Sequence, residues 1–424
     1  MGIGKDWFNN STAVSLPGRC FLTAWFFFAI AAALGALLRM QLVFPVTWVH
    51  YGNLLHAHSH VAFLGWVFNT FFALALRFFV PPERRGSYAR LFLLTQVTVV
   101  GMLATFPFQG YARESIVFST GHMVFAVIFV VRVLRENHAG PAARPYLWAA
   151  AVFMIGSAAG PLSLGPLMLA EMRNSPWYDL AVGYYLHFQY NGWFVFFLLA
   201  VALQSLHEGG KTRFCGPARK ALPWLVAGCV ASVVLAALPM RPPGWVFGVA
   251  ALGAVFQITG CGYGVRALTS GERIFRSGAP RVVLWLAGLA GGAFLLRTAL
   301  QALASWPGLL NLATNHFTII AFMHLIFLGI VAPMTIAWAI HIGWLRWNTP
   351  ARIGIGLFLG AALVSQSALA YLPLAGRFGW PGWPAFNETQ FISALAMFAG
   401  IVVAAIGSVK AVEATLGARA GGNP

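Results

Sequence analysis

The sequence predicts an all-α integral membrane protein: twelve transmembrane helices in three pseudo-symmetric four-helix units, with both termini cytoplasmic. Three observations predict it. Apolar runs long enough to cross a bilayer recur from end to end of the 424 residues. Basic residues collect in alternate connections between those runs. One short phrase, a histidine with a glycine five residues on, appears at His60, His187 and His324.

Composition sets the class. The chain is 59% hydrophobic and 9% charged, a balance that a soluble domain of this size does not reach. The formal charge of +17 does not indicate nucleic acid, because the basic residues are scattered between apolar runs and form no patch. Cys20, Cys215, Cys229 and Cys261 have no metal-ligand spacing and read as packing residues or free thiols. The opening MGIGKDWFNN lacks a cleavable signal pattern, so the first apolar run is expected to remain as a span.

The expected spans are 20–41, 50–80, 89–109, 114–134, 146–171, 177–206, 219–240, 243–267, 281–304, 312–344, 352–373 and 389–411. Span 5 carries the Gly/Pro-rich GSAAGPLSLGP, which predicts a kink or break. Arg84, Arg85 and Arg90 follow span 2; Arg132, Arg135 and Arg144 follow span 4. Lys211, Arg213, Arg219 and Lys220 follow span 6; Arg266, Arg273, Arg276 and Arg281 follow span 8; Arg346 and Arg352 follow span 10. The opposite connections hold Arg113, Arg173, Arg241 and Arg377, one each, so the richer side is expected to face the cytoplasm.

The histidine phrase orders these spans. It falls on spans 2, 6 and 10, which makes one membrane domain of three repeat units, about 20–144, 145–280 and 281–415. Each histidine stands about 20 residues before the basic end of its helix, about 30 Å at helical rise, so the three are expected at one depth. Imidazoles in an apolar span are costly and mark function by default. In HAHSHVAFLGWV, His56 and His60 share a helical face while His58 points away, so one helix offers ligands to two neighbours. A porphyrin iron between two helices accepts such imidazoles, and so do copper and zinc. His122 on span 4 reads first as an interhelical hydrogen-bonding residue and second as a metal ligand. His316, two turns before His324, is a candidate heme-edge or metal contact. Arg297 inside span 9, Arg377 after span 11 and Arg39 at the end of span 1 are candidate partners for propionates. Acidic residues are missing from the cytoplasmic halves of the spans, which leaves proton pumping without support.

These motifs resemble the heme-copper oxidase superfamily, specifically subunit I of the cbb-type oxidases and nitric oxide reductases. The stretch HSHVAFLGW at 58–66 is similar to that family's HxHxxxLGW signature, here moved from helix X to helix II. The resemblance implies one b-type heme, with room for a second, and a copper or other transition metal. His60 would match the helix II heme ligand, His324 its partner across the heme, and His187 the helix VI ligand of the active-site metal. It also implies a bacterial cytoplasmic-membrane oxidoreductase handling nitric oxide or dioxygen, with a cytochrome c-type donor or accessory subunit. The chain departs from the pattern on span 7, which has no histidine, and at Phe322, where the family places its other helix X ligand. A standard binuclear centre is therefore not expected.

His56–Gly65 also resembles the early motif of NnrS-type membrane proteins, which are associated with heme, copper and protection from nitrosative stress. That resemblance implies a non-enzymatic heme or copper protein in which His58 and His60 are the matching residues. A transporter with a histidine-lined cavity is a third reading, opposed by three parallel rather than inverted repeats. The sequence has no CxxCH, so a c-type heme would come from another chain. Across the readings, the candidate cofactor residues are His60, His324, His58, Arg297 and Arg377. The candidate metal residues are His187, His56, His58, His122 and His316.

Overall fold

The computed structural model describes residues 15–268, 274–275 and 279–420, with side chains of Leu268 and of 407–420 excepted. The first 14 residues and Arg273 and Arg276 of the basic connections lie outside the described residues. Every regular element among those described is a helix.

Among the described residues, twelve helices are long and apolar enough to cross a membrane. They are α1 Leu16–Met40, α2 Tyr51–Phe78, α3 Pro82–Gln109, α4 Arg113–Glu136, α5 Ala143–Leu169 and α6 Pro176–Glu208. The rest are α7 Cys215–Met240, α8 Gly244–Ala267, α9 Arg281–Ala304, α10 His316–Ile342, α11 Thr349–Phe378 and α12 Phe386–Ile406, the last helix continuing to Ala420. Their ends follow local chemistry. Proline opens α1 and α6, where a missing N–H costs nothing. Asn315 caps α10 by accepting from the Phe317 N–H at 2.9 Å. Arg85 donates to the carbonyls of Val80 and Arg77 and so closes the end of α2.

Two helices depart from regularity for legible reasons. α5 is interrupted at Ala158, inside the Gly/Pro-rich stretch. α7 tightens from α-helix to a 3₁₀ turn over Ser232–Met240, a change the apolar pattern did not announce. Pro239 lies in that segment, and the Ser232 hydroxyl turns back to the Gly228 carbonyl at 2.7 Å.

The largest departure is shared by α2, α6 and α10. Immediately after His60, His187 and His324 the helix widens into a π-helical turn, over Val61–Val67, Phe188–Phe194 and Leu325–Val331. Such turns are rare and concentrate at functional sites. Each contains the repeat's glycine, and each glycine presses against the helix that precedes its own. A Cβ on Gly65 would come 2.9 Å from Phe27 Cγ, one on Gly192 2.5 Å from Phe153 Cβ, and one on Gly329 3.1 Å from Ala293 Cβ. The histidine phrase is thus a packing motif as well as a set of candidate ligands.

By internal contacts the described chain forms two compact units. The first holds the residues up to Phe129, Trp338–Ala368 and those from Trp383 on. In it the Trp25 indole donates to the Ile401 carbonyl at 3.2 Å, tying α1 to α12. Phe28 stacks on Trp66 at 3.8 Å and meets Phe358 edge-on, and Phe72 stacks on Phe129 at 4.0 Å. The second unit holds Val130–Ala337 and Leu369–Gly382. There Tyr146 on α5 donates to the Ala218 carbonyl of α7 at 2.8 Å, and Phe327 of α10 packs against Tyr190 and Phe194 of α6. In lipid such interlocking contacts supply the helix association that water would otherwise drive.

The glycine contacts set an order of sensitivity. Gly192→Ala is expected to lower stability most, by about 1–3 kcal/mol, Gly65→Ala less and Gly329→Ala least. Thermal unfolding of the three variants in detergent checks that order; a larger loss at Gly329 than at Gly192 would contradict it.

Candidate functional site

In the first unit, the site is built on the opening turns of α2. His60 Nδ1 lies 2.8 Å from the His56 carbonyl oxygen. A carbonyl only accepts, so Nδ1 carries the proton and Nε2 of the neutral ring presents its lone pair. That lone pair faces the Tyr111 hydroxyl at 3.4 Å. Phe106 lies under the His60 ring, centroids 4.2 Å apart, and Tyr111 meets the His56 ring at 4.6 Å. His58 projects toward α1 instead, where its Nδ1–H donates to the Ala31 carbonyl at 2.8 Å and its ring lies over Gly35. The split between His58 and the His56/His60 face follows the helical spacing. A backbone carbonyl on one ring nitrogen, leaving the other bare, is how proteins orient a metal-ligating histidine.

A second bare imidazole lies deeper in the unit. The Thr98 hydroxyl gives its one proton to the Thr95 carbonyl at 2.6 Å, so its contact with His122 Nδ1 at 2.9 Å has the ring as donor. His122 is 1% exposed, and its Nε2 has no hydrogen-bond partner. His122 therefore bridges α4 to α3 and keeps a free lone pair. Between α2 and α3, Asn69 and Gln96 pair their amides reciprocally at 2.8 and 3.0 Å.

The second unit holds a different arrangement around His187. Its Nε2–H donates to the Cys229 carbonyl at 2.8 Å, next to the point where α7 tightens. Its Nδ1 accepts from Asn191 Nδ2 at 3.0 Å, so both ring nitrogens are engaged within the protein. Asn191 Oδ1 receives Nε of Arg297 at 2.9 Å and also its Nη2. Nη1 of Arg297 donates to Gln257 Oε1 at 3.2 Å. Gln257 in turn donates to Ser232 at 2.9 Å and to the Gly228 carbonyl at 3.3 Å. The chain of contacts thus joins α6, α7, α8 and α9 in one buried polar network.

No family model and no curated protein matches the chain. Among solved structures it is similar to a heme-copper terminal oxidase determined by cryo-EM as a dimer. The two share 12% identity over 94% of this chain and 84% of that one, with a TM-score of 0.59. The fold is heme-copper-oxidase-like.

On that fold the expected site residues separate. His56, His58, His60 and His122 lie in the first unit; His187, His316, His324, Arg297 and Arg377 lie in the second. Among the described residues no three His, Cys, Asp or Glu side chains gather to hold a metal ion. His324 is half-buried at the mouth of its π turn, while His316 is exposed at the first residue of α10. Arg377 is exposed in the last turn of α11, and Arg39 is half-buried in the last turn of α1. Arg297, expected as a propionate partner, holds Asn191 and Gln257. All four cysteines are free thiols.

Sequence reasoning missed Tyr111, Asn191, Thr98 and Gln257. Asn191 left a signal: it stands four residues after His187, where the other two copies of the phrase have Leu64 and Leu328. Asn191→Leu removes the acceptor shared by two guanidinium nitrogens and is expected to cost about 2–3 kcal/mol. Asn191→Leu combined with Arg297→Met removes both partners and is expected to recover most of that loss. Thermal midpoints of the two variants in detergent decide it; a double variant less stable than the single one would show that the network is not the unit described.

Proposed function

We propose that the chain is a membrane redox protein in which His60 would hold the iron of a b-type heme, His324 being the further ligand that the sequence expects. The observation that carries this reading is His60 itself. Its Nδ1 is fixed on a backbone carbonyl, its Nε2 meets only the Tyr111 hydroxyl at 3.4 Å, and it stands at the head of a π turn in a heme-copper-oxidase-like fold. The donor set fits the group: neutral imidazoles are ordinary iron ligands, and Phe106 beside the ring supplies an apolar wall. When bound, the heme would supply one-electron and diatomic-gas chemistry, with nitric oxide or dioxygen the expected ligand. The protein's part is to aim the imidazole, exclude water and hold His60 in one tautomer. Tyr111 is the hydroxyl nearest the open nitrogen and would yield that position to iron.

A second reading is favoured by His187. With both ring nitrogens bonded to Asn191 and Cys229, it offers no lone pair to copper as it stands. That supports a non-enzymatic heme protein for nitric oxide sensing or protection, of the NnrS kind, over a two-metal reductase. Proteins of either kind belong in a bacterial cytoplasmic membrane, and a catalytic one would take electrons from a cytochrome c-type donor or an accessory subunit.

Protein purified in detergent from heme-replete cells is expected to show a Soret band and a low-spin b-type spectrum, lost on His60→Ala or His324→Ala. Tyr111→Phe is expected to keep the heme. A colourless wild-type preparation, or wild-type heme content in both alanine variants, would overturn the reading. Metal analysis and nitric oxide consumption by the reduced protein separate its two forms. Iron without copper and gas binding without turnover favour the carrier; copper with sustained turnover favours the reductase.

A further inference from the structure

The second unit contains a buried cation with no counter-charge among the described residues. Arg297 is 2% exposed, the only fully buried arginine or lysine among the described residues. It lies seven residues before the end of α9, about 10 Å inside the span. Its contacts are all neutral: the amide oxygens of Asn191 and Gln257, and the face of Phe294 at 5.5 Å. Those amides are themselves committed, Asn191 to His187 and Gln257 to Ser232. Each described acidic side chain stands within about one turn of a span end, none in the interior beside this network.

A guanidinium carries five N–H groups. Nε–H and one Nη2–H go to Asn191, and one Nη1–H goes to Gln257. One N–H on each terminal nitrogen is left over, and guanidinium N–H groups are donors suited to a planar carboxylate or oxyanion. A second observation points to the same place. Gln301, one turn along α9 on the same face, is 6% exposed, and its Oε1 has no partner. Its amide is free to turn its NH₂ toward an acceptor. Leaving a full positive charge unmatched in an apolar span is costly, and an anion held by these donors removes that cost.

We propose that Arg297, with Gln301, binds a monovalent carboxylate or small oxyanion of the nitrite and nitrate class. Asn191 and Gln257 orient the guanidinium from the other side. The site couples the bound charge to His187 through Asn191, which donates to the ring. The same chemistry has two sources, a free oxyanion or the propionate of a bound heme. The site itself does not depend on the heme reading, because it is tested first on heme-free protein.

Protein from heme-limited cells is titrated with nitrite, nitrate and bromide at constant ionic strength, and thermal unfolding is followed. A saturable rise in midpoint of a few degrees is expected for the wild type. Arg297→Gln is expected to abolish it. Asn191→Asp, which supplies a built-in carboxylate and keeps Arg297, is expected to abolish it as well while preserving the fold. In crystals containing bromide, an anomalous peak beside the Arg297 guanidinium is expected. If heme-loaded protein still responds, the source is a free oxyanion; if only heme-free protein responds, the source is the propionate. A flat response in heme-free wild type, a rise shared equally by both variants, or no bromide peak would overturn the proposal.

Discussion

A polar side chain inside an apolar span has no water to turn to, and this constraint shapes both units. Five imidazole and guanidinium side chains within the spans are held by groups the protein itself supplies. His60 and His58 lean on backbone carbonyls, His122 on Thr98, His187 on Cys229 and Asn191, and Arg297 on Asn191 and Gln257. What differs is what remains after that requirement is met. His122 keeps a bare nitrogen, His60 one that meets only the Tyr111 hydroxyl, Arg297 keeps two N–H groups, and His187 keeps nothing. Ligand capacity in this chain is the residue of local hydrogen bonding, and it follows the partners rather than the presence of histidine.

The π turns bring this chemistry to the right place in the helix. A turn that takes an extra residue rotates everything beyond it by about 100° relative to a straight α-helix. The repeat's histidine therefore stands at the junction of two differently oriented faces. The glycine five residues on lets the widened turn seat against the preceding helix, with Phe27, Phe153 or Ala293 filling the space a side chain would need. Packing and ligand presentation are set by the same eight-residue phrase, which explains why it returns three times in one chain.

Much of this was legible in the sequence because lipid imposes simple rules. Length and apolarity define the twelve spans, and the weakness of span 5 at its Gly/Pro stretch appears as the break at Ala158. The separation of His58 from the His56/His60 face follows from helical periodicity alone. The network around Arg297 was not legible, since its acceptors come from α6 and α8, more than 100 residues and 40 residues away in sequence. Periodicity reports which face a residue occupies and is silent on which helix that face meets. The 3₁₀ turn of α7 escaped for a related reason: its cue, Pro239, looks like an ordinary helix end until the Ser232 and Cys229 backbone contacts are known.

Electron paramagnetic resonance of the oxidised, purified protein tests most directly the proposal that His60 would hold the iron of a low-spin heme. The account predicts a low-spin bis-imidazole signal that turns high-spin, or disappears with the heme, when His60 is replaced by alanine. A low-spin signal unchanged by that replacement would place the iron on other ligands and contradict the account.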